Sequence, residues 1–223
     1  MPTDRSRTAA RPAARNGPAF QPVGPEELAR RLARWIDAAG DGRLRVGIDG
    51  DESVGTAELA DRMGEALTDL GRPPIRVGTR WWWRAASLRL EHGRQDLESR
   101  LTGWVDAGAL SRELVDPLHP TGSGRYLARL RDPERDRAVR EPYRQAPDGA
   151  VLLLDGPLLG THELDLDLRV KVGVSGARLR RVLPDDRQWE VEAFAAYDRD
   201  WPAPAVVLSY DHPATPAVRG LPR

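Results

Sequence analysis

The chain contains no cysteine, which excludes a disulfide framework, a thiolate nucleophile and any metal centre built on sulfur. Lysine is almost missing as well: Lys171 is the single one, and the other 33 of the 34 basic residues are arginine. A mechanism that needs a lysine has only Lys171 to draw on. Net charge of either sign is also absent, because 34 basic side chains balance 34 acidic ones. No global field therefore draws the chain to nucleic acid or to an anionic membrane surface. No apolar run reaches membrane-spanning length, and no signal-type apolar core follows the basic N-terminus. The expectation is a soluble cytoplasmic protein with no membrane and no nucleic-acid partner. His92, His119, His162 and His212 show no metal-ligand spacing and read as surface or turn histidines.

What is present suits one α/β domain. The 223 residues can bury a core without staples, although the hydrophobic fraction, 40%, is modest. Residues 1–23 are rich in Pro, Ala and Arg, with little to bury, and read as a disordered arm. Residues 24–214 read as a single domain and 215–223 as a loose tail. Pro25, followed by Glu26 and Glu27, predicts a helix start, with Leu28, Leu32, Trp35 and Ile36 on one face. Leu44 to Ile48 reads as a strand, Gly50 to Gly55 as a glycine-rich turn, Leu59 to Leu70 as a helix and Pro74 to Val77 as a second strand. Strand, turn, helix, strand is the βαβ unit of a parallel sheet. Further helices are expected near 105–115, 176–183 and 187–198. A peripheral hairpin is expected from residues 125–131 and 138–143. Val151 to Leu154 is a continuous apolar run, as a strand buried on both faces requires. Leu166 to Val174 and Ala205 to Ser209 are the last strands. The alternation predicts a doubly wound parallel α/β sheet.

The turn Gly50-Asp51-Glu52-Ser53-Val54-Gly55-Thr56-Ala57 matches the glycine frame of a phosphate-binding loop, G-x-x-x-x-G-K-[ST]. Thr56 stands at the lysine position and Ala57 at the magnesium-hydroxyl position. Two glycines in a βα turn are equally an ordinary tight turn. Asp49, Asp51, Glu52 and Glu58 crowd the loop with charge of the wrong sign for an anion cradle.

From about Leu44 to Pro213 the order of motifs resembles the uridine-kinase-like P-loop nucleoside kinases. Val46-Gly47-Ile48-Asp49-Gly50, with Gly55 and Leu59-Ala60-Asp61, resembles the family opening. Leu114 to Leu118 with Gly122 to Tyr126, the strand Val151 to Gly156, and Ala205 to Val207 with Asp211-His212-Pro213 resemble later segments. The resemblance implies a P-loop NTPase-like three-layer α/β/α fold and transfer of a phosphoryl group from ATP to a hydroxyl of a nucleoside-like small molecule. ATP and Mg2+ would be cofactors only if the chain is active. A homodimer is the assembly to test.

By that resemblance Gly50, Ser53, Val54, Gly55, Thr56 and Ala57 would cradle phosphates, with Arg178 and Arg181 as lid arginines. Asp155 would handle the metal, and Arg80 or Arg84 would replace the missing lysine charge. The neighbourhood after the second strand lacks the family's acceptor-side carboxylate. It carries Trp81, Trp82 and Trp83 instead. Neighbouring strand residues point to opposite faces, so three adjacent indoles cannot share one core. One or two are candidates to stack on a planar ligand; plugging the cleft or covering the core is the other reading. Two functions stand at this point: a phosphotransferase, or a catalytically inactive relative that binds a ligand or a protein partner.

Overall fold

The computed structural model describes residues 19–222. Most of the N-terminal arm, residues 1–18, and the terminal Arg223 lie outside them. The strands are β1 (Gln21–Pro22), β2 (Leu44–Asp49), β3 (Pro74–Gly78), β4 (Arg125–Tyr126), β5 (Arg131–Asp132), β6 (Arg137–Ala138), β7 (Arg144–Gln145), β8 (Val151–Gly156), β9 (Leu168–Gly173), β10 (Val206–Ser209) and β11 (Ala217–Arg219). The α-helices are α1 (Pro25–Asp37), α2 (Thr56–Asp69), α3 (Ala86–Arg89), α4 (Ala107–Leu110), α5 (Gly176–Val182) and α6 (Glu190–Asp200).

Among the described residues, seven strands form one sheet in the order β1-β11-β10-β9-β2-β8-β3. The five from β10 to β3 run parallel, and β11 and β1 add an antiparallel edge. β8 lies between β2 and β3, so the first two long strands are not neighbours. Gln21–Pro22, expected in the arm, and Ala217–Arg219, expected in the tail, pair with each other and so belong to the sheet. Backbone pairing orders both segments even though neither has a marked hydrophobic pattern.

The strand β8 shows why its apolar run is unbroken. Val151 and Leu153 face α1 and α2 with Val46, Ile48, Leu32 and Met63. Leu152 and Leu154 enter a second core on the other face, with Ile75, Val77, Trp82, Leu110 and Leu114. All six residues of β8 are buried. The expected helix near 105–115 is α4 followed by a π-helical turn, Ser111–Val115. The expected hairpin is nested: β5 pairs with β6, and outside them β4 pairs with β7.

Candidate functional site

The turn after β2 is shaped by two glycines. A Cβ at Gly50 would lie 2.8 Å from both Thr56 Cγ2 and Val172 Cβ. Gly55 has φ +91°, a left-handed conformation that other residues adopt at a cost. Between them a short 3-10 turn, Glu52–Val54, replaces an open loop.

That turn holds its own anion. Asp51 is 3% exposed; its Oδ1 accepts from the Ser53 amide at 2.9 Å and its Oδ2 from Arg187 Nη2 at 2.6 Å. Arg187 also donates to Ser53 Oγ at 3.4 Å and to both oxygens of Glu190, at 2.7 and 3.0 Å. Glu190, buried in turn, accepts from Arg100 Nε at 2.8 Å. Burial pushes the Asp51 carboxyl upward, but Arg187 and Ser53 outweigh it and hold the group below its ordinary range. Thr56, fully buried, donates its hydroxyl to the Asp51 carbonyl at 3.3 Å. It therefore turns inward rather than toward a ligand.

Asp155, at the end of β8, sits between β2 and β3, opposite Ile48 and Gly78. It accepts from Arg76 Nη2 at 3.2 Å, and Arg76 also binds the Ala57 carbonyl and Asp61. Burial raises its carboxyl above the usual range despite Arg76. Between this carboxylate and the turn remains a gap of about 30 Å³, bordered by three carboxylates (Asp51, Glu52, Asp155) and three guanidiniums (Arg80, Arg100, Arg187). Such a volume holds about one or two waters. Arg100 Nη2 is buried and, among the described residues, has no hydrogen-bond partner.

The structure separates the other candidates. Arg80 reaches the turn, 3.5 Å from Glu52, while Arg84 is exposed and borders a different depression with Glu91 and Asp96. Arg181 is exposed, and the Arg178 amide donates to Ser175 within α5's own cap. Besides Arg80, the arginine that meets the turn is Arg187, on Asp51 and Ser53. Trp82 is wholly buried in the second core, and Trp81 packs beside it under Arg129. Trp83 alone of the three lines the gap. It meets Trp104 edge-on at 5.2 Å, and Trp104 lies 6.3 Å from Trp189. These three indoles, with Arg89 and Arg94, border an open depression of about 400 Å³ that also touches Glu52 and Arg187. His162, read as a surface or turn histidine, ends the 3-10 turn Leu159–His162 and is half-buried; burial, with Arg100 nearby, presses its imidazole down to about 4.

Sequence reasoning missed Arg187, Arg100, Glu190, Trp104 and Trp189. In a chain with 33 arginines, no local pattern marks out the one that folds back over a turn. The residues also do not fit ATP with magnesium. Ala57 offers no hydroxyl, Thr56 bonds inward, Asp155 is held by Arg76, and Asp51 occupies the Ser53 amide of the turn. Lys171 lies on the other face of the sheet, between Asp49 at 3.6 Å and Asp198 at 3.0 Å. Among the described residues no three His, Cys, Asp or Glu side chains are grouped to hold a metal ion, and no helix is long and apolar enough to cross a membrane.

No protein-family model matches the chain, and no curated protein matches its sequence. Solved structures do match. A possible uridine kinase from Bacillus stearothermophilus superposes with a TM-score of 0.61 at 18% identity, covering 78% of this chain and 94% of that one. A candidate fructose transport system kinase from a Silicibacter species gives a TM-score of 0.61 at 17% identity, covering 84% and 99%. At such identities the likeness is one of architecture: the chain has the α/β fold of P-loop kinases, a mostly parallel sheet flanked by helices.

Proposed function

We propose that this chain is a uridine-kinase-like P-loop fold that no longer transfers phosphoryl groups and serves as a binding module for a nucleoside-like small molecule. The observation that carries this reading is the Asp51–Arg187 pair. A carboxylate of the chain itself takes the turn amide, and the guanidinium that could have met a phosphate is committed to Asp51 and Glu190. A polyphosphate entering the turn would have to displace a buried ion pair and stand beside Glu52 and Asp155. The ligand surface left to the fold is the depression bordered by Trp83, Trp104 and Trp189, where flat rings and arginines lie together.

A specific feature favours a second reading. Arg100 Nη2 is buried without a partner, and Arg187 already touches the turn. Two guanidiniums could together supply the charge that Thr56 lacks, and the chain would then be an active kinase of a small hydroxylic acceptor.

One experiment separates the two. At about 5 mM ATP with magnesium, a Kd below about 0.1 mM would stabilise the fold by more than about 2 kcal/mol. The expected result is no such stabilisation and no phosphate transfer from ATP to a panel of nucleosides and sugars. The variant Asp51→Gly/Thr56→Lys/Ala57→Thr should gain nucleotide affinity. Turnover by the native chain, lost in Arg100→Gln, would overturn the binding-module reading and establish the second.

A further inference from the structure

The face of the sheet away from α1 and α2 carries a cavity that the turn does not use. Its floor is β2 at Gly47 and Asp49 and β9 at Arg169, and its outer wall is the segment Trp201–Pro204 leading from α6 into β10. Its volume is about 330 Å³, within the range of small-molecule sites. Two prolines, Pro202 and Pro204, fix the backbone of that wall. No residue of the turn from Gly50 to Gly55 lines the space.

The polar groups of this cavity are unequally engaged. Asp49 accepts from the Leu159 amide at 3.3 Å and from the Tyr197 hydroxyl, and Lys171 Nζ stands 3.6 Å away. The Tyr197 hydroxyl in turn accepts from the Gly160 amide at 2.9 Å. Asp49 is thus already engaged by an ammonium and two donors of the chain itself. Arg169 differs: it donates to the Leu164 carbonyl, and among the described residues no carboxylate lies within 4.0 Å of it. The rings of Trp201 and Tyr197, 5.6 Å apart and tilted by 31°, line the same space as Arg169. A half-buried guanidinium without a counter-charge, next to aromatic walls in a largely apolar space, selects a flat apolar body bearing one negative charge.

We propose that this cavity is a binding site for a small planar organic anion of the aromatic carboxylate class, with the carboxylate on Arg169 and the ring against Trp201. The site is separate from the turn and independent of whether the turn binds nucleotide.

The test titrates the full chain with benzoate and follows the Trp201 indole N–H in proton–nitrogen correlation spectra, its signal assigned with Trp201→Phe. Benzoate should shift that signal saturably, and benzyl alcohol, which has the ring without the charge, should bind about tenfold more weakly or worse. Arg169→Met should lose about tenfold or more in benzoate affinity, whereas Arg169→Lys, which keeps the charge but not the planar fork, should lose less than Arg169→Met. Native-like spectra of both variants establish that the fold persists. No saturable shift of Trp201 in the native chain would overturn the proposal. So would equal affinity for benzoate and benzyl alcohol, or benzoate binding unchanged in Arg169→Met.

Discussion

Asp49 and Asp51 stand two residues apart, flank the same glycine and are almost equally buried, at 6% and 3% exposure. Their carboxyls nevertheless move in opposite directions. Burial raises Asp49, and Lys171, Tyr197 and the Leu159 amide do not compensate for it. Burial would raise Asp51 too, but Arg187 at 2.6 Å and Ser53 carry it the other way. What separates the two is contact: a guanidinium in direct hydrogen bond against an ammonium at 3.6 Å that is shared with Asp198. Asp51 is thus part of the structure of the turn, whereas Asp49 is tolerated beneath it. An internal ion pair thus closes the backbone turn that follows β2.

The comparison breaks most visibly at Arg187. Arg187→Met removes the cation from two buried carboxylates, Asp51 and Glu190, and leaves Glu190 only Arg100. Uncompensated buried charge costs about 3–5 kcal/mol, read as a lowered urea midpoint at unchanged slope. A loss under about 1 kcal/mol would mean that the pair does not lock the turn.

Much of this architecture was legible in the sequence, and the locking pair was not. The apolar run of β8, the helix faces of α1 and α2 and the glycine frame of the turn are periodic or local signals, and each appears where expected. That Thr56 and Ala57, not a lysine and a hydroxyl residue, follow Gly55 was equally visible. Arg187 lies 136 residues from Asp51, so their meeting depends on how α5 and α6 return over the turn. Trp83 and Trp104 meet by the same kind of long-range packing: only tertiary structure could choose Trp83 over Trp81 and Trp82 as the residue facing the gap. Edge strands of two or three residues, such as β1 and β11, show no alternation because they are too short to have a period.

A smaller effect is expected at Asp51 itself. Asp51→Asn can still accept from the Ser53 amide but loses the charge beside Arg187, which keeps Glu190 as its partner. The cost should be about 1–2 kcal/mol at neutral pH, that of one charge-assisted hydrogen bond. The native carboxyl lies below its ordinary 3.8, so its stabilisation is fully present above that pH. The contribution disappears as pH falls through the lower folded value. Native and variant unfolding curves should therefore differ at pH 7 and converge in strong acid; a pH-independent difference would point to packing instead.

The smallest effect, and the opposite sign, belongs to Asp49. Its folded carboxyl is raised above 3.8, so the folded chain takes up a proton before the unfolded chain does, and ionised Asp49 weighs against folding at neutral pH. That penalty is fully present above the folded value and is relieved as pH falls toward 3.8. Asp49→Asn removes the charge while its amide oxygen can still accept from Tyr197 or the Leu159 amide, and Lys171 retains Asp198 at 3.0 Å. Stability at pH 7 should then stay within about 1 kcal/mol of the native chain or rise. Any gain should shrink toward pH 4, the reverse of the Asp51→Asn trend. A loss of about 2 kcal/mol or more at pH 7 would show that the Lys171 ammonium holds Asp49 as firmly as Arg187 holds Asp51. The contrast between the two carboxylates would then no longer rest on contact.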